Sequence, residues 1–80
     1  MTQPSHETVA TRIFELGALL PTLLERYPDD ADFYPAWAEH ADAIMRLAGE
    51  VSDDTHDYAF QSLEAILIRA GKVDPAERTT

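Results

Sequence analysis

Apolar residues recur every three or four positions along three separate stretches of this chain, and clusters of Pro, Asp and Gly lie between them. That spacing follows the 3.6-residue turn of an α-helix, and no stretch alternates apolar and polar residues as a half-buried strand does. The chain has 80 residues, enough for one small domain with a core near the lower limit of what folds alone. It has no cysteine, which excludes disulfide staples, thiol nucleophiles and Cys-ligated zinc. Stability must therefore come from packing the three apolar stripes together. The expected architecture is all-α, a small antiparallel three-helix bundle.

In the first stretch Val9, Ile13, Leu16, Leu20, Leu23, Leu24 and Tyr27 fall within an arc of about 100°. Ser5 is placed to cap it and Glu7 suits the helix N-terminus. Pro21 leaves the stripe in phase, so one helix kinked at Pro21 is expected over about 5–27, stopped by Pro28. Asp32 is the expected cap of a second helix over 32–48, with Pro35 in its first turn and Gly49 as the left-handed stop. A third helix is expected over 54–70, with Asp54 and Asp57 as a capping box, Ser52 as the alternative cap and Gly71 as the stop. Its stripe is Ala59, Phe60, Leu63, Ile66, Leu67 and Ala70. Residues 5–71 then form the domain, 1–4 a flexible lead and 72–80 a polar tail.

The second helix is unusual. Phe33, Trp37, Ala41, Ile44 and Ala48 centre its apolar face, and Tyr34, Ala36, Met45 and Leu47 widen it to roughly 200°. Such a helix must touch two neighbours, or one neighbour and another chain. The same region carries the charge. The chain has a formal net charge of −9, and residues 29–57 hold nine acids against one base, Arg46. Carboxylates near helix N-termini account for Asp32, Asp53, Asp54 and Asp57. Capping does not require Asp29, Asp30, Glu39, Asp42 or Glu50, which are expected to run as a stripe along one side.

An acidic balance of this size repels phosphate backbones, so direct nucleic-acid binding is not expected. No apolar run approaches the ~20 residues that cross a bilayer, and no targeting signal is visible; a cytoplasmic protein without membrane contact is expected. Phosphate loops, nucleophile elbows, zinc-protease motifs and calcium-loop spacings are all missing, so no enzyme activity, cofactor or metal is expected. Asp53, His56 and Asp57 share one helical turn but lack the further ligands a metal site needs. His40 projects to the apolar side of the second helix and reads as a core or interface histidine. Gln61-Ser62-Leu63-Glu64 resembles the Asp-Ser-Leu motif at which acyl carrier proteins take phosphopantetheine. Gln61 replaces the Asp, and the 18 residues after Ser62 are too few for that family's remaining helices. Trp37, Ala41, Ala59 and Leu63 loosely resemble a tetratricopeptide helix pair, with a longer turn and no second copy.

The leading expectation is a small acidic helical module that docks on a basic surface of a partner protein and modulates or inhibits it, as an adaptor, an antagonist or a nucleic-acid mimic. Tyr27, Asp29, Asp30, Phe33, Tyr34, Glu39, Asp42, Glu50 and Asp53 are its expected contact residues. Aromatics crowd the turn between the first two helices, and Tyr34 with its polar tip is the expected anchor. The alternative is a self-associating structural subunit, a homodimer joined through helix 2, with Phe14, Met45, Leu47 and Ile68 as expected contacts. Five arginines to one lysine and twelve alanines hint at a GC-rich bacterium or its phage.

Overall fold

A computed structural model describes residues 4–72, and these form three α-helices: α1 (His6–Arg26), α2 (Asp30–Val51) and α3 (Asp53–Arg69). Residues 1–3 of the expected lead and 73–80 of the expected tail lie outside the described residues. All three helices pack against one another, and no strand is present among the described residues.

Helix α1 starts as its sequence indicates, with the Ser5 hydroxyl accepting from the Thr8 amide at 3.3 Å. It runs through Pro21 as one element. The proline faces solvent, while Leu16, Leu20 and Leu23 stay buried on either side of it. The Tyr27 amide closes the helix on the Leu23 carbonyl at 2.9 Å.

Helix α2 is longer than expected at both ends. Asp29, not Asp32, occupies the cap position, and it acts through its backbone: its carbonyl accepts from the Phe33 amide at 2.9 Å, with no side-chain cap bond. Gly49 is not a stop either, and the helix continues through it to Val51. Buried Ala48 and half-buried Val51 extend the apolar stripe by one more turn, so packing carries the chain past a residue whose backbone freedom is not used. Ser52 then ends one helix and begins the next. Its amide donates to the Ala48 carbonyl at 3.2 Å, and its hydroxyl oxygen accepts from the Thr55 amide at 3.0 Å. The cap of α3 is thus Ser52 and not Asp54.

Helix α3 ends where Gly71 indicates. Gly71 is the one described residue with positive φ, at 75°. Its amide donates to the Ile68 carbonyl at 3.0 Å, and the Lys72 amide to the Leu67 carbonyl at 2.9 Å. This is a Schellman closure, which needs a left-handed residue and therefore favours glycine.

The core takes Val9, Ile13, Leu16, Leu20 and Leu23 from α1, Phe33, Trp37, Ile44 and Ala48 from α2, and Ala59, Leu63 and Ile66 from α3. The Phe33 and Trp37 rings stack with centroids 6.2 Å apart. The wide face of α2 is explained within the chain, because α2 packs on both other helices. Phe60, expected in the α3 stripe, is instead 54 % exposed: Ala59 takes the core position, and the next residue lies ~100° further round the helix. His6 Nδ1 lies 3.1 Å from the Thr55 hydroxyl, which brings the starts of α1 and α3 together and sets them parallel, with α2 running the other way.

The two glycines near helix ends should respond oppositely to alanine. Gly49→Ala places a Cβ no closer than 3.6 Å to His56 in a helix interior. It should raise the unfolding free energy by about 0.5–1 kcal/mol. Gly71→Ala forces a side chain into positive φ and should lower it by about 1 kcal/mol. Urea melts of both variants check this, and shifts of the same sign would contradict the assigned helix ends.

Candidate functional site

Asp29, Asp30, Asp32, Glu39, Asp42, Glu50, Asp53, Asp54 and Asp57 are all exposed. Along α2, Asp32, Glu39, Asp42 and Glu50 fall within an arc of about 80° on the side away from the core, a ridge of roughly 27 Å from Asp32 to Glu50. Arg46 is the one base on this arc. The ridge exists because burial consumes the opposite side of α2, leaving polar residues only the remaining arc. Asp29, the cap of α2, and Asp53, the first residue of α3, stand beyond its two ends.

Asp30 is different from these. Its carboxylate Oδ1 is 2.6 Å from Lys72 Nζ, an ion pair. Lys72 is the only lysine of the chain. The Schellman turn sets its position, and its ammonium also lies 4.8 Å from the centroid of the Phe33 ring. Its carbonyl accepts a hydrogen bond from the Tyr34 hydroxyl at 2.5 Å. Three contacts therefore tie the end of α3 to the start of α2. Lys72 was expected in a loose tail; it is instead held and largely covered. Nothing in local sequence signals this, because its partners are about forty residues away.

The same geometry sorts the expected aromatic contacts, and Phe33 is the one it removes. Phe33 is fully buried and cannot touch a partner, because the Trp37 ring and Lys72 close over it. Tyr27 is half-buried against the core. Tyr34 is 37 % exposed, but its ring meets Phe33 edge-on at 5.4 Å and its hydroxyl is engaged. The expected contact residues left exposed and outside an ion pair are Asp29, Tyr34, Glu39, Asp42, Glu50 and Asp53.

His40, expected against the core or an interface, is exposed. With Arg12, Glu15 and Glu39 it borders a shallow space of about 230 Å³ between α1 and α2. The described residues hold no group of three or more His, Asp or Glu side chains arranged to take a metal ion. Of the expected self-association residues, Met45 and Leu47 are half-buried on opposite flanks of α2, ~160° apart, where they pack on the core. Ile68 is half-buried on α3, and Phe14 is 78 % exposed on α1. The fold does not gather these four on one face.

A feature that periodicity did not indicate lies between α1 and α3, an open apolar groove of about 820 Å³. Ile13, Leu20 and Ile66 form its floor, and Phe14 and Tyr58 border it. It is open because small residues face each other across the helices: Gly17 and Ala18 on α1, Ser62 and Ala65 on α3. A Cβ built at Gly17 would lie 3.5 Å from Ile66 Cδ1, so the two helices approach closely at the floor. Ser62, singled out for its resemblance to a phosphopantetheine-bearing serine, is half-buried in the middle of α3 and lines this groove.

Comparisons of the chain with models of protein families, with curated proteins and with solved structures find no match.

Tyr34→Phe removes only the bond to the Lys72 carbonyl and should cost about 0.5–1.5 kcal/mol of stability. Lys72→Met keeps the cover over Phe33 and loses an exposed ion pair, a change of about 1 kcal/mol or less. Chemical denaturation measures both; an unchanged midpoint for Tyr34→Phe would mean that the α3 end is not tied to α2 in solution.

Proposed function

We propose that this chain is a small acidic binding module that docks along the α2 ridge on a basic surface of a partner protein and modulates that protein's activity. The observation that supports this reading is the ridge itself. Asp32, Glu39, Asp42 and Glu50 are aligned and exposed, and they have no ion-pair partner among the described residues. Asp32 suits the first turn of α2, but Glu39, Asp42 and Glu50 have no such role within the chain. They raise the local negative potential, which accelerates encounter with a positive surface and repels wrong partners.

The spacing of the ridge bears on the kind of target. A strand of duplex DNA carries one charge per about 3.4 Å. Four carboxylates over roughly 27 Å are more thinly spread, by a factor of about two. This favours an ordinary basic protein surface over a cleft built for nucleic acid. A closely matched mimic would need a denser ridge.

The test uses the full chain as bait in a nuclease-treated lysate, beside a triple variant, Glu39→Gln with Asp42→Asn and Glu50→Gln. The expected result is a stoichiometric protein held at low salt, released at high salt and not held by the variant, whose melting temperature should be close to wild type. Equal capture by both baits would overturn docking through the ridge. With the captured protein purified, the variant should slow association more than it speeds dissociation, because long-range attraction acts before contact.

A further inference from the structure

We propose that the groove between α1 and α3 is a self-association surface, closed by a second copy of this chain about a two-fold axis. Three observations converge on it. The first is charge. Among the described residues no carboxylate lines the groove, although the chain carries 15 acidic residues and a net charge of −9. Two copies meeting through α2 would press like charges together, whereas the groove lets their apolar surfaces meet without that cost. Among the described residues its one charged lining residue is Arg69, which has no ion-pair partner among them. A cation there repels a basic partner and suits a second acidic copy.

The second observation is shape. A two-fold interface requires one patch to carry both a projection and the recess that receives it. Phe14 is the most exposed large apolar residue described, and it stands on the rim of the groove. Gly17, Ala18 and Ala65 keep the recess shallow enough for another helix to lie close.

The third is the register of α1. Ala10, Phe14, Ala18 and Pro21 share one face, and Glu7 and Glu25 bound it at either end. Seven residues of helix rise about 10 Å, so with antiparallel α1 helices crossing near Phe14, Glu7 of the second copy lies level with Pro21. That is the end of the groove at which Arg69 stands, since His6 meets Thr55 and Gly17 lies against Ile66, a register that puts Arg69 level with Leu20 and Pro21. The apolar centre and the charged end are then satisfied in one arrangement.

Sedimentation equilibrium of the full chain, taken up to about 1 mM, a range that reaches even weak association, tests this directly. The expected result is a reversible monomer–dimer equilibrium, reaching twice the 8.9 kDa chain. The dimer should tighten as salt is raised, since salt screens repulsion between two acidic copies. This response is opposite to that of ridge docking, so either proposal can fail without the other. Phe14→Glu should weaken the dimer at least tenfold, and an unchanged melting curve at low concentration verifies that the exposed substitution leaves the fold intact. Phe60→Glu is the control: Phe60 is also exposed but does not line the groove, and its variant should dimerise as wild type does. A monomer at every concentration, a mass beyond the dimer, or a dimer indifferent to Phe14→Glu would overturn the proposal.

Discussion

Burial of α2 on two sides is the constraint from which the rest of the arrangement follows. Phe33, Trp37, Ile44 and Ala48 occupy the middle of the core, and half-buried Ala41, Met45 and Leu47 extend contact to either flank. In so small a domain a helix with this much apolar surface can be covered only from two directions, so α1 and α3 both lie against it. The carboxylates of α2 are left a narrow outer arc. With α1 and α3 both turned toward α2, the small residues between them leave the open groove. The acidic ridge and the apolar groove are two consequences of one packing decision.

The ends of the bundle show how few polar contacts such a chain needs. At one end Ser52 turns α2 into α3, and buried Thr55 joins Ser52 to His6 through its hydroxyl. At the other, the left-handed Gly71 delivers Lys72 to Asp30, Phe33 and the Tyr34 hydroxyl. Each is worth little alone; an exposed ion pair contributes on the order of 1 kcal/mol or less. Together they set which helix ends meet, whereas the apolar stripes by themselves are tolerant of sliding.

Segregating charge from apolar surface gives one small chain two faces with opposite requirements. Docking on the ridge, as proposed, draws on long-range attraction that salt weakens, whereas the proposed contact in the groove is freed from repulsion by salt. Like charges repel and unlike charges attract, so carboxylates suit a basic surface, and two copies of a strongly acidic chain fit together best where they are not acidic.

The sequence carries the fold class, the three helices and nearly all of the core within itself, because period 3.6 in apolar residues is a local signal repeated many times over each helix. It also determined Ser5 as a cap and Gly71 as a stop, since each acts on backbone groups within four residues. It failed where the outcome depended on residues far along the chain. Gly49 reads as a stop until the packing of Ala48 and Val51 carries α2 through it. Asp32 and Asp54 read as caps equal to their neighbours. His40 and Phe60 lie near stripes that other side chains fill. Phe33, Tyr34 and Lys72 read as an exposed cluster and a loose tail until the third helix returns beside the second. The tertiary structure alone decided those cases, and it alone made the groove, because a groove is a property of two helices and the distance between them, which neither helix encodes.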